Sequence, residues 1–195
     1  ALAFCIKLAF NNGDFKVFLE AAKLIKAGEN PYNLWIFVSE GNYCLYFYSP
    51  MWVVLLIPFA TLPNVIPNLI WLVANLFFLY RIWLLLTSYV DLIYLSKKQI
   101  KWLLLLCLLM SFRFIMYNFG MIQMTLFLLW GCLESIRLMR DQKSGWGGML
   151  LALVINIKIL PIVLVPYLLY RRYFKGLLYV LIFTGAFLFL PALYT

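Results

Sequence analysis

Residues 69–90 read LIWLVANLFFLYRIWLLLTSYV, an apolar run whose one charge is Arg81. A helix of that length rises about 33 Å, enough to cross a hydrocarbon core about 30 Å thick. Working outward, further apolar runs occupy residues 102–119, 121–138, 146–159, 160–170 and 177–194, two of them short. Across all 195 residues, 66% are hydrophobic and 12% charged, where soluble domains carry about 25% charged residues. Neither a water-soluble enzyme nor a disordered chain is compatible with this composition. The predicted fold is all-α: a polytopic membrane helix bundle, with about six membrane-spanning helices over residues 66–195.

Histidine is absent, which removes His-based catalysis and His-ligated metals. The four cysteines, Cys5, Cys44, Cys107 and Cys132, have neither zinc-site nor disulfide spacing and read as small apolar fillers. The net charge of +9 does not mark a nucleic-acid binder. Its basic residues gather in short loops, Lys97/Lys98/Lys101, Arg137/Arg140/Lys143 and Arg171/Arg172/Lys175, each separated from the next by two apolar runs. All three therefore fall on one side, the cytoplasm. The connections around residues 118–123 and 158–161 then face outward, as expected of a multi-pass protein of the plasma (inner) membrane whose site faces the outside or periplasm.

The chain opens in an apolar run, residues 1–10, too short to span, and is read as part of a longer protein that begins with the end of a transmembrane helix. Residues 11–65 form an outer loop containing four of the seven acids, Asp14, Glu20, Glu29 and Glu40. Within it, residues 14–27 read as an amphipathic interfacial helix, with Phe15, Phe18, Ala22 and Ile25 on one face and Lys16, Glu20 and Lys23 on another. Gly28 suits the position after the helix, and Asn30–Asn33 turns the chain. Residues 51–62, broken by Pro58, rise only about 20 Å as a helix; they read as a re-entrant or juxtamembrane helix, which keeps Asp14 outside.

Charges within apolar segments are costly and usually face a cavity. Arg113 and Lys158, with Arg81, Glu134 and Lys7, are such charges. The predicted topology puts Arg113 and Lys158 on the same face as Asp14, with Asn118, Gln123 and Asn156 close in sequence. A carboxylate and two cations on one face suit a reaction in which a base takes a hydroxyl proton and positive charge receives a phosphate leaving group. From the residues alone, plainer roles stand beside these. Asp14 fits an N-cap, Arg113 and Lys158 fit snorkelling cations, Asn118 and Gln123 fit helix-end polar groups, and Tyr48 fits an interfacial aromatic.

The stretch Gly13–Ala22, continuing through Gly28-Glu29-Asn30-Pro31-Tyr32-Asn33, resembles the first outer loop of family 87 glycosyltransferases, integral-membrane enzymes of the GT-C class. Tyr48-Ser49-Pro50 followed by Pro58 to Leu62-Pro63 is similar to that family's Y-x-P…P-x-x-x-L-P segment. Gly120–Gln123 resembles its G-Q-x-N motif, here with two residues between the Gly and the Gln. Gly148–Leu153 through Asn156-Ile157-Lys158-Ile159-Leu160-Pro161 is similar to its G-L-L-L-A…K-x-x-P segment. The resemblance implies a polyprenyl-phosphate-sugar-dependent hexosyltransferase, with α-1,2-mannosyl transfer as the family default. The donor would be a polyprenyl-phosphate sugar, the acceptor a glycolipid or glycan, and the surroundings membrane lipid, with no nucleic acid. It assigns Asp14 as general base and Lys158 as a donor-phosphate contact, with Arg113 as a second such contact. Gln123, Asn118 and Tyr48 are candidate sugar or acceptor contacts. No D-x-D or dense carboxylate cluster is present and no cofactor is expected, although some GT-C enzymes use a divalent metal. The competing class is a lipid or solute transporter or flippase without glycosyl transfer.

Overall fold

The computed structural model describes residues 2–11, 13–39, 42–89 and 95–193. Glu40 of the outer loop and the last positions of the 69–90 and 177–194 runs lie outside the described residues. Among the described residues the fold is all-α apart from one short hairpin. Helix α1 (Leu2–Ala9) and the outer-loop helix α2 (Phe15–Lys26) come first. A hairpin follows, of β1 (Ile36–Ser39) and β2 (Asn42–Cys44). The short α3 (Pro50–Leu56) then leads into a 3-10 turn, Ile57–Phe59.

The long α4 (Val65–Tyr89) and α5 (Lys97–Gly120) come next, then α6 (Thr125–Arg140) and α7 (Ser144–Ile157). A 3-10 turn (Leu160–Val163) precedes α8 (Leu164–Tyr170), and α9 (Phe174–Phe189) is followed by a last turn, Leu190–Leu193. Among the described residues, two segments, Val65–Ser88 and Lys97–Gly120, are helices long and apolar enough to cross a membrane.

The ends of these helices are set by local chemistry. Ser96 caps α5 in a reciprocal capping box with Gln99, which draws Lys97, Lys98 and Lys101 into the helix. The helix α2 ends as the sequence suggests: Gly28 has φ 77°, its N–H reaches the Ile25 carbonyl, and the Glu29 N–H reaches the Leu24 carbonyl at 2.9 Å. This is the paired bonding of a Schellman end. The same pattern closes α5 at Ile122, α6 at Gln142 and α8 at Arg172, all non-glycine residues with positive φ. The predicted apolar run 121–138 is thereby shortened, because residues 121–124 form a loop and α6 begins at Thr125.

The outer loop departs further from expectation. The hairpin was not anticipated, its strands being too short for a visible alternation. On α2 the buried face is wider than the predicted stripe, taking in Val17, Leu19 and Ala21 besides Phe15, Phe18, Ala22 and Ile25. The reason is that α3 and β1 both pack on it. Together α3 and its turn rise only about 16 Å.

Helix packing defines two ends of the bundle. Close backbone approach joins α6, α7 and α9: a side chain at Gly147 would lie 2.8 Å from Met139 Cγ, and one at Gly176 2.6 Å from Met139 Sδ. Such small-residue seams let helices meet where apolar burial supplies little drive. They place Arg137, Arg140 and Lys143 at the same end as Arg171, Arg172 and Lys175. The opposite end gathers the start of α4, the α5–α6 loop, the end of α7 and the outer loop. Inside the bundle the two α4 and α6 charges pair: Arg81 Nη2 lies 3.0 Å from both carboxylate oxygens of Glu134, which also accepts from Arg137.

Candidate active site

Beneath the outer-loop end lies an aromatic core. Phe15 stacks on Trp71 at 5.0 Å, Trp52 on Phe127 at 5.7 Å and Phe78 on Trp130 at 4.9 Å. These rings tie α2, α3, α4 and α6 into one floor, and the polar residues stand on it.

Asp14 precedes α2 with φ −57° and ψ −28°, and its side chain makes no cap bond. A capping side chain needs extended backbone to turn back onto the first helical N–H groups; helical torsions point the carboxylate away instead. Its Oδ2 accepts from Gln123 Nε2 at 2.9 Å, and its own N–H donates to the Met121 carbonyl at 2.8 Å. Gly13 makes this approach possible, since a Cβ there would overlap the Met121 carbonyl and lie 3.1 Å from the Ile122 Cβ. Asp14 is thus held from both sides by the α5–α6 loop.

That loop is itself fixed. The indole of Trp71 donates to the Gln123 carbonyl at 3.2 Å, and the Gln123 N–H donates to the Asn118 carbonyl at 2.9 Å. Ile122 is fully buried with φ 49°, a conformation that β-branched residues adopt only at a cost. Glycine would adopt this backbone without that cost.

Lys158 caps the end of α7 with φ −146° and ψ 126°. The chain turns there because Pro161 follows, in the first turn of the next 3-10 segment. Asn156, two residues earlier, accepts a hydrogen bond from the Ser49 hydroxyl. Ser49 also caps α3, and its carbonyl accepts from the Tyr46 hydroxyl at 2.7 Å. The Tyr48 ring rests on Phe18 at 4.8 Å, and its carbonyl accepts from the Tyr32 hydroxyl. Burial pushes the Tyr48 phenol up from its ordinary pKa, and the neighbouring Asp14 charge pushes it further. It therefore remains a neutral hydrogen-bonding group beside the carboxylate.

Asp14, Phe18, Tyr48, Gln123, Thr125 and Lys158 line one small cavity of about 60 Å³. Four of the six residues nominated from sequence thus share it. The other two lie elsewhere. Asn118 is buried behind the loop, its side chain making long contacts to Asn75 (3.5 Å) and to the Leu126 N–H (3.4 Å). Arg113 lies on the exposed face of α5 and is not among the lining residues.

Sequence reasoning missed Gly13, Trp71 and the Ser49–Asn156 bond. The first was readable only as the neighbour of an acid, and the other two carried no local signal. Among the described residues no group of three or more Cys, Asp or Glu side chains converges as metal ligands would. Chemically, the cavity sets a carboxylate, an amide and a phenol against an exposed ammonium in one opening.

Neither a curated protein nor a solved structure matches the chain. A family model, glycosyltransferase family 87, matches residues 46–195. That span contains Tyr48, Gln123 and Lys158; Asp14 precedes it and is bonded directly to it through Gln123. With the model covering most of its length, the chain belongs to glycosyltransferase family 87, a family of membrane-associated enzymes that transfer sugars.

Proposed function

We propose that the protein is a membrane hexosyltransferase that moves a sugar, mannose by family default, from a polyprenyl-phosphate donor to a glycolipid or glycan acceptor. The reaction is a single inverting displacement on the face opposite the basic loops. The acceptor oxygen attacks the anomeric carbon, its proton passes to the Asp14 carboxylate, and the anomeric C–O bond to phosphate breaks. The bonding electrons leave on the phosphate oxygen, so polyprenyl phosphate departs with one more negative charge than it carried as the sugar diester. Lys158 offsets that charge, an interaction strongest where charge develops in the transition state. Gln123 orients the carboxylate, and Tyr48 supplies a neutral donor at the rim. Arg113, on the exposed face of α5, is left as a headgroup-level contact for the lipid phosphate outside the cavity.

The observation that carries this reading is that Asp14 and Lys158 line the same cavity. The test uses membranes containing the full-length protein, radiolabelled polyprenyl-phosphate mannose and a glycolipid acceptor. Asp14→Asn keeps the side-chain volume and a partner for Gln123. It should lower transfer at least about 100-fold at unchanged expression, the scale of a lost general base. Lys158→Ala should lower kcat and weaken the donor. Transfer at the wild-type rate by Asp14→Asn removes the base. Solute or lipid flux with no new glycosidic bond would assign transport instead.

A further inference from the structure

Asp14, Phe18 and Tyr48 form a wall shared by two cavities. The first holds Gln123 and Lys158. The second, of about 410 Å³, shares that wall and is lined also by Trp35, Tyr43 and Phe47. Among the described residues, Lys158 lines only the first, and no cation lines the second. The carboxylate therefore stands at a junction between a cation-bearing chamber and an aromatic one.

The aromatic chamber is built rather than incidental. Trp35 is 66% exposed and Tyr43 56%, rings that folding has left uncovered although their burial would be favourable. Tyr43 is held in place: it faces Phe37 in the hairpin register, with ring centroids 5.5 Å apart. Lys16 lies 4.9 Å above the Phe37 ring, and Phe18, on the shared wall, packs against Tyr46 at 6.1 Å. Aromatic faces carry negative quadrupoles, and the C–H-rich face of a pyranose presents weakly positive hydrogens to them, while its hydroxyls remain free for a carboxylate. In an inverting displacement the nucleophile enters opposite the leaving group. The base must touch the entering hydroxyl, so the acceptor occupies the side of Asp14 that Lys158 does not.

We infer that the Trp35–Tyr43 chamber is the acceptor subsite, and that it takes a carbohydrate whose apolar ring face stacks on these two residues with one hydroxyl directed at Asp14. The inference rests on Asp14 acting as base, as proposed above. Its experiment has one arm that needs no donor. Octyl α-D-mannopyranoside is added to the full-length protein in nanodiscs, and saturation-transfer NMR reads the pyranose ring protons against those of octyl glycerol ether, which has the same chain and no ring. The wild type should saturate the ring protons. Trp35→Ala and Tyr43→Ala should each lose most of that signal, and Trp35→Phe should keep it; both residues are exposed enough to truncate without opening the core.

In the transfer assay with the same acceptor, Trp35→Ala should raise the acceptor KM roughly tenfold, equivalent to ~1.4 kcal/mol, with the donor KM changed by less than about twofold. Ring saturation or acceptor KM unchanged in both alanine variants overturns the subsite. So does saturation of the alkyl chain alone, which would make the chamber a lipid contact. Ring saturation lost in the variants of a protein that transfers no sugar would instead leave the subsite standing and refute the transferase reading.

Discussion

Gly13 and the Met121 carbonyl meet so closely that no side chain fits between them. The contact joins the start of the outer-loop helix to the turn after α5, and Asp14 inherits its position from it. Gly13→Ala should cost about 1–3 kcal/mol, the range for forcing extra atoms into a packed site, and should displace the carboxylate from Gln123. Thermal unfolding in detergent gives the first quantity. The second appears as a fall in kcat larger than the loss of folded protein explains. A variant with wild-type stability and turnover would show that the loop yields and that the glycine is dispensable.

The two long apolar helices, α4 and α5, were legible because hydropathy alone sets their lengths. The expected meeting of Asp14 with Lys158 rested on an assumed order of passes, and the two residues do line one cavity. Arg113 shows where such reasoning stops: α5 is apolar around its circumference, so periodicity does not choose which face meets the bundle. The break at residues 121–124 was hidden for a related reason, since Met121 and Ile122 continue the apolar run while the backbone leaves the helix. The hairpin and the Ser49–Asn156 bond depend on partners distant in sequence, and no local pattern announces them.

Glu134 is buried between Arg81 and Arg137. Removing its charge leaves Arg81 facing an apolar interior without compensation. Glu134→Gln should destabilise the fold by about 2–3 kcal/mol, below the fully buried range because both arginines are partly exposed. Arg81→Met combined with Glu134→Gln should recover part of the loss. A thermal-melt double-mutant cycle checks this, and strictly additive losses would show that the pair is energetically uncoupled.

The phenols of Tyr32, Tyr46 and Tyr48 pack together, and burial raises the pKa of each above its ordinary value of 10.0. A raised phenol pKa favours the protonated, folded form. The resulting stability is complete below pH about 10 and is lost as pH climbs through the folded-state values. Ultraviolet tyrosinate titration should show a late-ionising group of phenols whose onset coincides with loss of the outer-loop structure. Titration of all tyrosines near pH 10 with the fold intact would contradict the packing.

Gln142 holds φ 60° at an exposed turn after α6. Non-glycine residues pay roughly 1–2 kcal/mol for that conformation, offset in part by the greater freedom glycine has when unfolded. Gln142→Gly should therefore raise stability by up to about 1 kcal/mol with turnover unchanged, as read by thermal unfolding and the transfer assay. Ile122→Gly should do the reverse, because the fully buried side chain it removes is worth more than the torsion it relieves.

The Arg81–Glu134 pair also bears on how the molecule is made. Synthesis produces the guanidinium 53 residues before the carboxylate that neutralises it. Until α6 has emerged from the ribosome, α4 carries an unmatched positive charge and cannot settle beside its final neighbour. Neutralisation of Arg81 therefore has to wait until Glu134 has been made.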